Sequence, residues 1–337
     1  MNLVIDAMGG DYGPEITVAG AIQAIEEFEV NIILTGREEV INHELEKYGS
    51  HKGSLKVVHC PEVIENTDKP SVALRQKKNS SMAVAFQLVK EGEADAVISA
   101  GNTGALLAGG LFVLGRIKGI SRPALAVPFP TPKGVSLLVD AGANTECKPN
   151  HLLDFALMGK CYMETMANIS EPSIRLVNVG IEAEKGNELS KAAYELLMDS
   201  DIPFAGNIEA RDIPAGIADV IVCDGFTGNI ILKLYEGVAQ TFGETLKQEL
   251  TRTWSRKAGA LLVKPGLRAF KKQFDYAEYG GVPFLGVNGL LIKAHGSSSI
   301  KAIKNAIRQA KSSHDNHLVD HIRNQLAELP KSDFQEA

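Results

Sequence analysis

Three glycine-punctuated turns carry the residues best suited to chemistry: Gly101-Asn102-Thr103-Gly104, Asp224-Gly225-Phe226-Thr227-Gly228-Asn229 and His295-Gly296-Ser297-Ser298-Ser299. Each joins an apolar run to a helical period, and each mixes glycine with small hydrogen-bonding side chains. Such turns present backbone N–H groups and hydroxyls to an anion, and the helix dipole favours negative charge there. Any one of them also reads as an ordinary N-cap and tight turn. Three together, with Asp140-Ala141-Gly142-Ala143-Asn144 at a further strand end, point to a phosphate-type site. Lys185, within Glu182-Ala183-Glu184-Lys185-Gly186-Asn187, and Lys293, just before His295, are candidate fixed cations, although a lone lysine is usually a surface residue.

Other chemistries lack their residues. There is no GxGxxG after the first apolar run, no GxxxxGK[ST] loop, no GxSxG elbow and no HExxH. His314, His317 and His321 have metal-like spacing with Asp320 beside them, but a segment polar all round reads better as a solvated helix face. No metal is expected. Cys60, Cys147, Cys161 and Cys223 have neither metal-knuckle nor redox spacing and read as reduced thiols of a cytoplasmic protein.

The elements that must position these turns follow a regular pattern. Apolar runs at 3–5, 31–34, 55–59, 96–99, 135–139, 174–179 and 220–223 each lead through a polar turn into a helical period. That alternation predicts a mostly parallel sheet covered on both faces, with ligands beyond the carboxyl ends of its strands. Ala124–Phe129 and Val135–Val139 are joined too closely for a helical crossover, so they are expected to form an antiparallel hairpin and make the sheet mixed. With no linker or composition break, residues 1–337 read as a single three-layer α/β/α domain. The uncharged stretch 96–115 is long enough to span a bilayer, but the loop chemistry of 99–104 makes it a strand, turn and helix instead. The first residues have no basic flank and do not resemble a signal peptide.

The chain has 337 residues, a net charge of −6 and 45% hydrophobic residues, so nothing in its overall field suggests nucleic acid. Against that acidity, 243–279 is a basic amphipathic helical excursion. Between Lys247 and Lys272 the only acid is Glu249, and Ala258–Val263 is apolar. Lys264-Pro265-Gly266 is expected to force a turn there, with Leu267, Phe270 and Phe274 resuming an apolar stripe. Lys257, Leu261, Leu262, Val263, Lys264 and Arg268 are candidates for contact with an anionic membrane or an acidic carrier protein. The plain alternative is a packing hairpin with solvated charges.

Several motifs are collinear from Met1 to about Ala310. They include Val4-Ile5-Asp6-Ala7-Met8-Gly9-Gly10-Asp11, Ser99–Ala105, Val139–Asn144 and Asn178-Val179-Gly180 with Glu184–Asn187. Gly206-Asn207-Ile208-Glu209, Asp224–Asn229, and Glu278-Tyr279-Gly280-Gly281 with Lys293–Ser298 complete the set. The combination resembles the phosphate acyltransferase family of bacterial phospholipid synthesis. The resemblance implies transfer of a fatty acyl group from acyl-acyl-carrier protein to orthophosphate, giving acyl phosphate for a membrane glycerol-3-phosphate acyltransferase. It implies a homodimer, no cofactor, and a fold like those of isocitrate and isopropylmalate dehydrogenases and of phosphotransacetylases. The chain would then be cytoplasmic and reversibly membrane-associated.

Phosphate attacking a thioester needs no enzyme nucleophile; it needs a held dianion and donors for the oxyanion. On that footing Asn102, Thr103, Gly104, Asn144, Asn187, Asp224, Thr227, Ser297 and Ser298 are candidate phosphate or substrate ligands. Lys185 is the candidate neutralising cation, and Asn229 and His295 are candidates to orient or protonate. A short-chain phosphotransacetylase using coenzyme A thioesters and a non-catalytic carrier-protein scaffold are the alternative readings.

Overall fold

The computed structural model describes residues 1–49, 54–273, 278 and 280–328. Phe274 and Tyr279, and the side chains of Phe270, Lys271 and Lys272, lie outside what is described.

The chain builds an α/β structure on two mixed, mostly parallel sheets rather than the one expected. In the first, β1 (Asn2–Asp6), β2 (Asn31–Gly36), β3 (Leu55–His59), β4 (Ala96–Ser99), β5 (Ala124–Leu125), β11 (Gly281–Leu285) and β12 (Leu290–Ala294) stand in the order β3-β2-β1-β4-β12-β11-β5. The run from β3 to β12 is parallel, and β11 and β5 are antiparallel to their neighbours. In the second, β6 (Val127–Thr131), β7 (Gly134–Val139), β8 (Ile174–Asn178), β9 (Phe204–Glu209) and β10 (Val220–Val222) stand in the order β6-β7-β10-β8-β9, with only β6 antiparallel.

The expected hairpin is present as β6–β7, turning through Pro132-Lys133. The apolar run before it, however, is divided between the sheets. Leu125 belongs to the first, Val127 to the second, and buried Ala126 is the single residue between them. A continuous apolar run carries no mark of a sheet boundary, because both halves are buried. Strands β9, β11 and β12 were not anticipated either.

Helices cover both sheets. Helices α1 (Gly13–Phe28) and α10 (Ile300–Asp315) bury Val18, Ile22 and Ile303 against Leu3, Ile5 and Ile292. Helices α6 (Pro149–Met166), α7 (Glu188–Met198) and α11 (Leu318–Glu328) bury Phe155, Leu197 and Ile322 with Leu137 and Val222. A third cluster is continuous between the sheets, from Val97 and Leu291 through Phe129 to Leu138 and Ile221. It takes in Phe86 of α4 (Ser81–Lys90) and Leu106 of α5 (Thr103–Gly109). The loop after β3 contains a short helix, α3 (Pro70–Gln76), and α2 (Glu38–Glu46) follows β2.

The basic excursion is a helical hairpin, but its turn lies elsewhere than expected. Helix α8 (Gly225–Thr251) ends at Arg252-Thr253, and α9 (Trp254–Gln273) runs through Pro265 unbroken. Proline removes one N–H, leaving the Leu261 carbonyl without its helical partner, and on this exposed helix water can take that place.

Candidate active site

At the carboxyl ends of three adjacent parallel strands, Asp6 of β1 stands beside Ser99 of β4, and Ser99 beside Lys293 of β12. The loops beyond them interlock. Ser99 Oγ donates to Asp6 Oδ2 at 2.7 Å, Gly101 N donates to Ser99 Oγ at 3.0 Å, and Asp11 N donates to the Gly296 carbonyl at 2.8 Å. Gly9 is required here, because a Cβ would stand 2.7 Å from Gly101 N. Burial raises the Asp6 pKa, against the hydrogen bonds from Ser99 Oγ and Met8 N.

Lys293 is buried and donates to the carbonyls of Ala100, at 3.3 Å, and Ala294. Desolvation lowers its pKa to about 8, against the pull of Asp6 and Asp11. Two residues on, His295 stands exposed at the rim. Its Nδ1 accepts from Ser297 N at 3.2 Å and lies 2.9 Å from Ser297 Oγ. An accepting Nδ1 assigns the neutral ring's proton to Nε2. Desolvation, then Lys233, lowers the His295 pKa, so the neutral ring predominates at neutral pH.

The second sheet contributes the opposite wall. Its loop after β7 is organised by Asp140, whose Oδ1 accepts from the backbone of Leu125, Gly142 and Ala143 and whose Oδ2 accepts from Asn144 N and Nδ2. Asn229, near the start of α8, packs beside Gly142. Between the walls is a cavity of about 430 Å³. Its lining includes Thr103, Asn229, Lys233, Glu236, Lys293 and His295 among the polar and charged residues, and Leu125, Val127, Phe129, Leu232, Tyr235 and Val282 among the apolar and aromatic ones. The Phe129 and Tyr235 rings pack at 4.2 Å, and Tyr235 Oη donates to the Pro130 carbonyl.

Of the sequence-derived candidates, Thr103, Asn229, Lys293 and His295 line this cavity. Ser297 adjoins it by holding His295, and the buried Ser298 Oγ has no hydrogen-bond partner among the described residues. Several others are committed to architecture. Asn102 Oδ1 caps α5 at Ala105 N, and its Nδ2 reaches the carbonyls of Glu65, Asn66 and Asp68. Gly104 packs under Pro70, where a Cβ would stand 2.6 Å away. Asn144 Nδ2 ties Asp140 to the Pro123 carbonyl, and Asp224 caps α8 through Thr227 N and Oγ1. Asn187 caps α7, and Lys185 is exposed on the loop after β8; neither lines the cavity.

The apolar wall had no local signal, because β6, α8 and β11 supply it from distant parts of the chain. Lys293 stood in the sequence as one of two candidate cations, and only the packing around it separates it from Lys185. The terminal histidines do not act together: His321 Nε2 meets Glu164 at 2.8 Å, near Cys161. Lys160 binds the same carboxylate at 3.0 Å, which makes this an ion-pair junction of α6 with α11.

A family model described as "Fatty acid synthesis protein" matches residues 1–320. The chain belongs to this family. It is 57% identical over 335 residues to the phosphate acyltransferase of Alkaliphilus oremlandii, covering 99% of this chain and 100% of the relative. It is 53% identical over 327 residues to that of Clostridium novyi, covering 97% and 98%. Its fold is similar to that of a phosphotransacetylase from Streptococcus pyogenes, with TM-score 0.59 at 18% identity over 93% of this chain and 94% of the other. The EutD phosphotransacetylase from Staphylococcus aureus is similar too, with TM-score 0.57 at 15% identity over 93% and 94%. The fold expected by resemblance is thus borne out in its phosphotransacetylase part.

Proposed function

We infer that this protein transfers a fatty acyl group from acyl-acyl-carrier protein to orthophosphate, forming acyl phosphate for phospholipid synthesis. The observation that carries the reading is a single cavity whose lining combines cationic and polar side chains with apolar ones. A phosphate oxygen attacks the thioester carbonyl, the C–S bond breaks, and the proton of hydrogen phosphate ends on the departing thiolate. No enzyme nucleophile is required. Thr103 and the glycine loops hold phosphate, and the Nε2–H of His295 and the amide of Asn229 stabilise the oxyanion.

Purified protein given palmitoyl-carrier protein, with hydroxylamine to trap acyl phosphate, is expected to form hydroxamate only when orthophosphate is present. Equal turnover of short acyl-coenzyme A would favour the phosphotransacetylase reading instead. Carrier binding without turnover would favour the scaffold.

Association with a second copy is supported by α8. Phe226, Ile230, Leu234, Val238 and Phe242 recur every fourth residue, and all are exposed. A stripe this long on a water-soluble surface is the kind an isologous dimer covers. Leu234, 66% exposed, is its centre. Leu234→Glu is expected to convert a dimer to a monomer in sedimentation velocity, and a wild-type chain sedimenting as a monomer would defeat the assignment.

Reversible membrane contact is supported by the hairpin. Leu261, Leu262 and Val263 are exposed among Lys257, Lys264 and Arg268, and Glu249 is already engaged by Arg252 and Arg256. No helix of the described residues is long and apolar enough to cross a membrane, so the contact would be interfacial. Leu262, 85% exposed, is the sharpest probe. Leu262→Asp is expected to weaken binding to phosphatidylglycerol vesicles about tenfold or more, from lost burial and added charge repulsion. Unchanged flotation with vesicles would exclude this contact. An acyl phosphate made there would be handed directly to a membrane-bound glycerol-3-phosphate acyltransferase.

A further inference from the structure

We propose that Lys293 is a catalytic residue of this site, the cation whose ammonium binds the attacking phosphate and stays beside it as the acyl group is transferred. The proposal rests on the acyl-transfer reading and names the group that holds the anion.

The position begins with strand pairing. Lys293 is the penultimate residue of the third of three parallel strands, paired with Ser99, whose hydroxyl donates to Asp6, and loops follow all three strands at this end. Parallel sheets bind ligands at this edge. The side chain is only 9% exposed and yet lines the cavity beside Thr103, His295 and Gly296.

Its bonding is incomplete for a buried cation. An ammonium has three donors, and Lys293 places two, on the Ala100 and Ala294 carbonyls. Among the described residues no carboxylate forms a salt bridge with it. Asp6 and Asp11 act on it only from a distance, and the Asp6 oxygens are already bonded by Ser99 Oγ and Met8 N. A desolvated charge without a contacting counter-ion is costly. An anion entering the cavity would supply both the missing charge and the third acceptor.

The competing cations serve less well. Lys233 also lines the cavity, but it is largely exposed and paired with Glu236 at 3.0 Å. Lys185 is on the loop after β8, away from the cavity lining. His295 is neutral near pH 7 and contributes a dipole rather than a charge.

In the transfer step Lys293 gives up no proton. It balances the charge of hydrogen phosphate as the oxygen–carbon bond forms, and of acyl phosphate once the carbon–sulfur bond has broken. The groups that face it are Asp6 of β1, Asp11 in the following loop and His295 on its own strand's extension, with Lys233 and Glu236 of α8 beyond the histidine. A lysine whose pKa is depressed to about 8 is charged below that pH and loses its charge as the pH rises through it.

Three variants test the assignment against a merely structural role. Lys293→Met should lower kcat/KM for orthophosphate at least 100-fold, the scale of a lost transition-state charge contact. It should nevertheless melt no lower than wild type, because an isolated buried charge has been replaced by an apolar stem. Lys293→Gln should lose the rise in Tm that orthophosphate gives the wild type. Lys293→Arg should restore part of the phosphate dependence and shift the alkaline fall in rate, near pH 8 in wild type, to higher pH.

If the wild type makes hydroxamate and Lys293→Met keeps kcat/KM for phosphate within threefold, Lys293 is not the phosphate cation, and the acyl-transfer reading stands. If the wild type makes none, that reading fails, and the Tm arm alone decides whether Lys293 binds phosphate. A Lys293→Met chain that melts well below wild type and a Lys293→Gln chain that retains the phosphate-induced shift would together assign the residue to architecture.

Discussion

Asp140→Ala is expected to destabilise the protein by more than about 4 kcal/mol, enough to leave many domains unfolded. This carboxylate, buried where the two sheets meet, accepts from five N–H groups: Leu125 N at 3.0 Å, Gly142 N at 3.1 Å, Ala143 N at 3.0 Å, Asn144 N at 2.7 Å and Asn144 Nδ2 at 2.9 Å. Each buried donor left without an acceptor costs about 1–3 kcal/mol. Leu125 belongs to the first sheet and Asp140 follows the second, so the same change loosens their junction. The Ala141 N to Leu125 carbonyl bond, 2.9 Å, would remain as the main polar tie there. Gly228 of α8 depends on the same loop, since a Cβ on it would lie 1.9 Å from the Asp140 carbonyl. Urea unfolding of wild type and variant measures the effect. A loss under about 1 kcal/mol would mean that the junction is held by apolar packing alone.

The second large effect is on the chemical step. His295→Ala is expected to lower kcat about 10²–10³-fold, the range for removing one donor to a developing oxyanion. His295→Gln, which can still offer an N–H, should lose less. The pH dependence follows from the direction of the pKa shift. Because desolvation and the neighbouring lysines depress the His295 pKa, its neutral form persists below the ordinary histidine value of 6.5. Activity should hold as the pH falls to that value and decline further into acid, where a protonated Nδ1 can no longer accept from Ser297 N. With the loss of Lys293 charge near pH 8, the profile should be a plateau bounded on both sides. Single-turnover hydroxamate formation across pH 5 to about 9.5 is the measurement. An alanine variant within threefold of wild type would remove His295 from the chemistry.

The polar lining of the cavity was legible because its chemistry is local. A glycine-rich turn at the end of an apolar run announces itself within six residues, and Thr103, Asn229 and His295 all lie in such turns. The same pattern holds at Asn102, Asn144, Asp224 and Asn187, whose side chains make structural hydrogen bonds. A polar side chain that caps a helix and one that binds an anion occupy the same place before the helix, and only its hydrogen-bond partners separate them. Asn102 spends its amide on the loop at 65–68, far away in sequence.

By itself the sequence determined an alternating α/β chain with glycine-rich polar turns at strand ends, one antiparallel hairpin and a basic helical excursion, because periodicity, turn chemistry and charge are local properties. Tertiary structure decided the rest. It divided one apolar run between two sheets at Ala126, carried α9 through Pro265, and joined Phe129, Tyr235 and Val282 into one apolar wall. It also set Lys293, rather than Lys185, against the cavity. Whether a lysine is a solvated surface group or a desolvated cation facing an anion depends on what packs around it, and strands distant in the chain supply that packing.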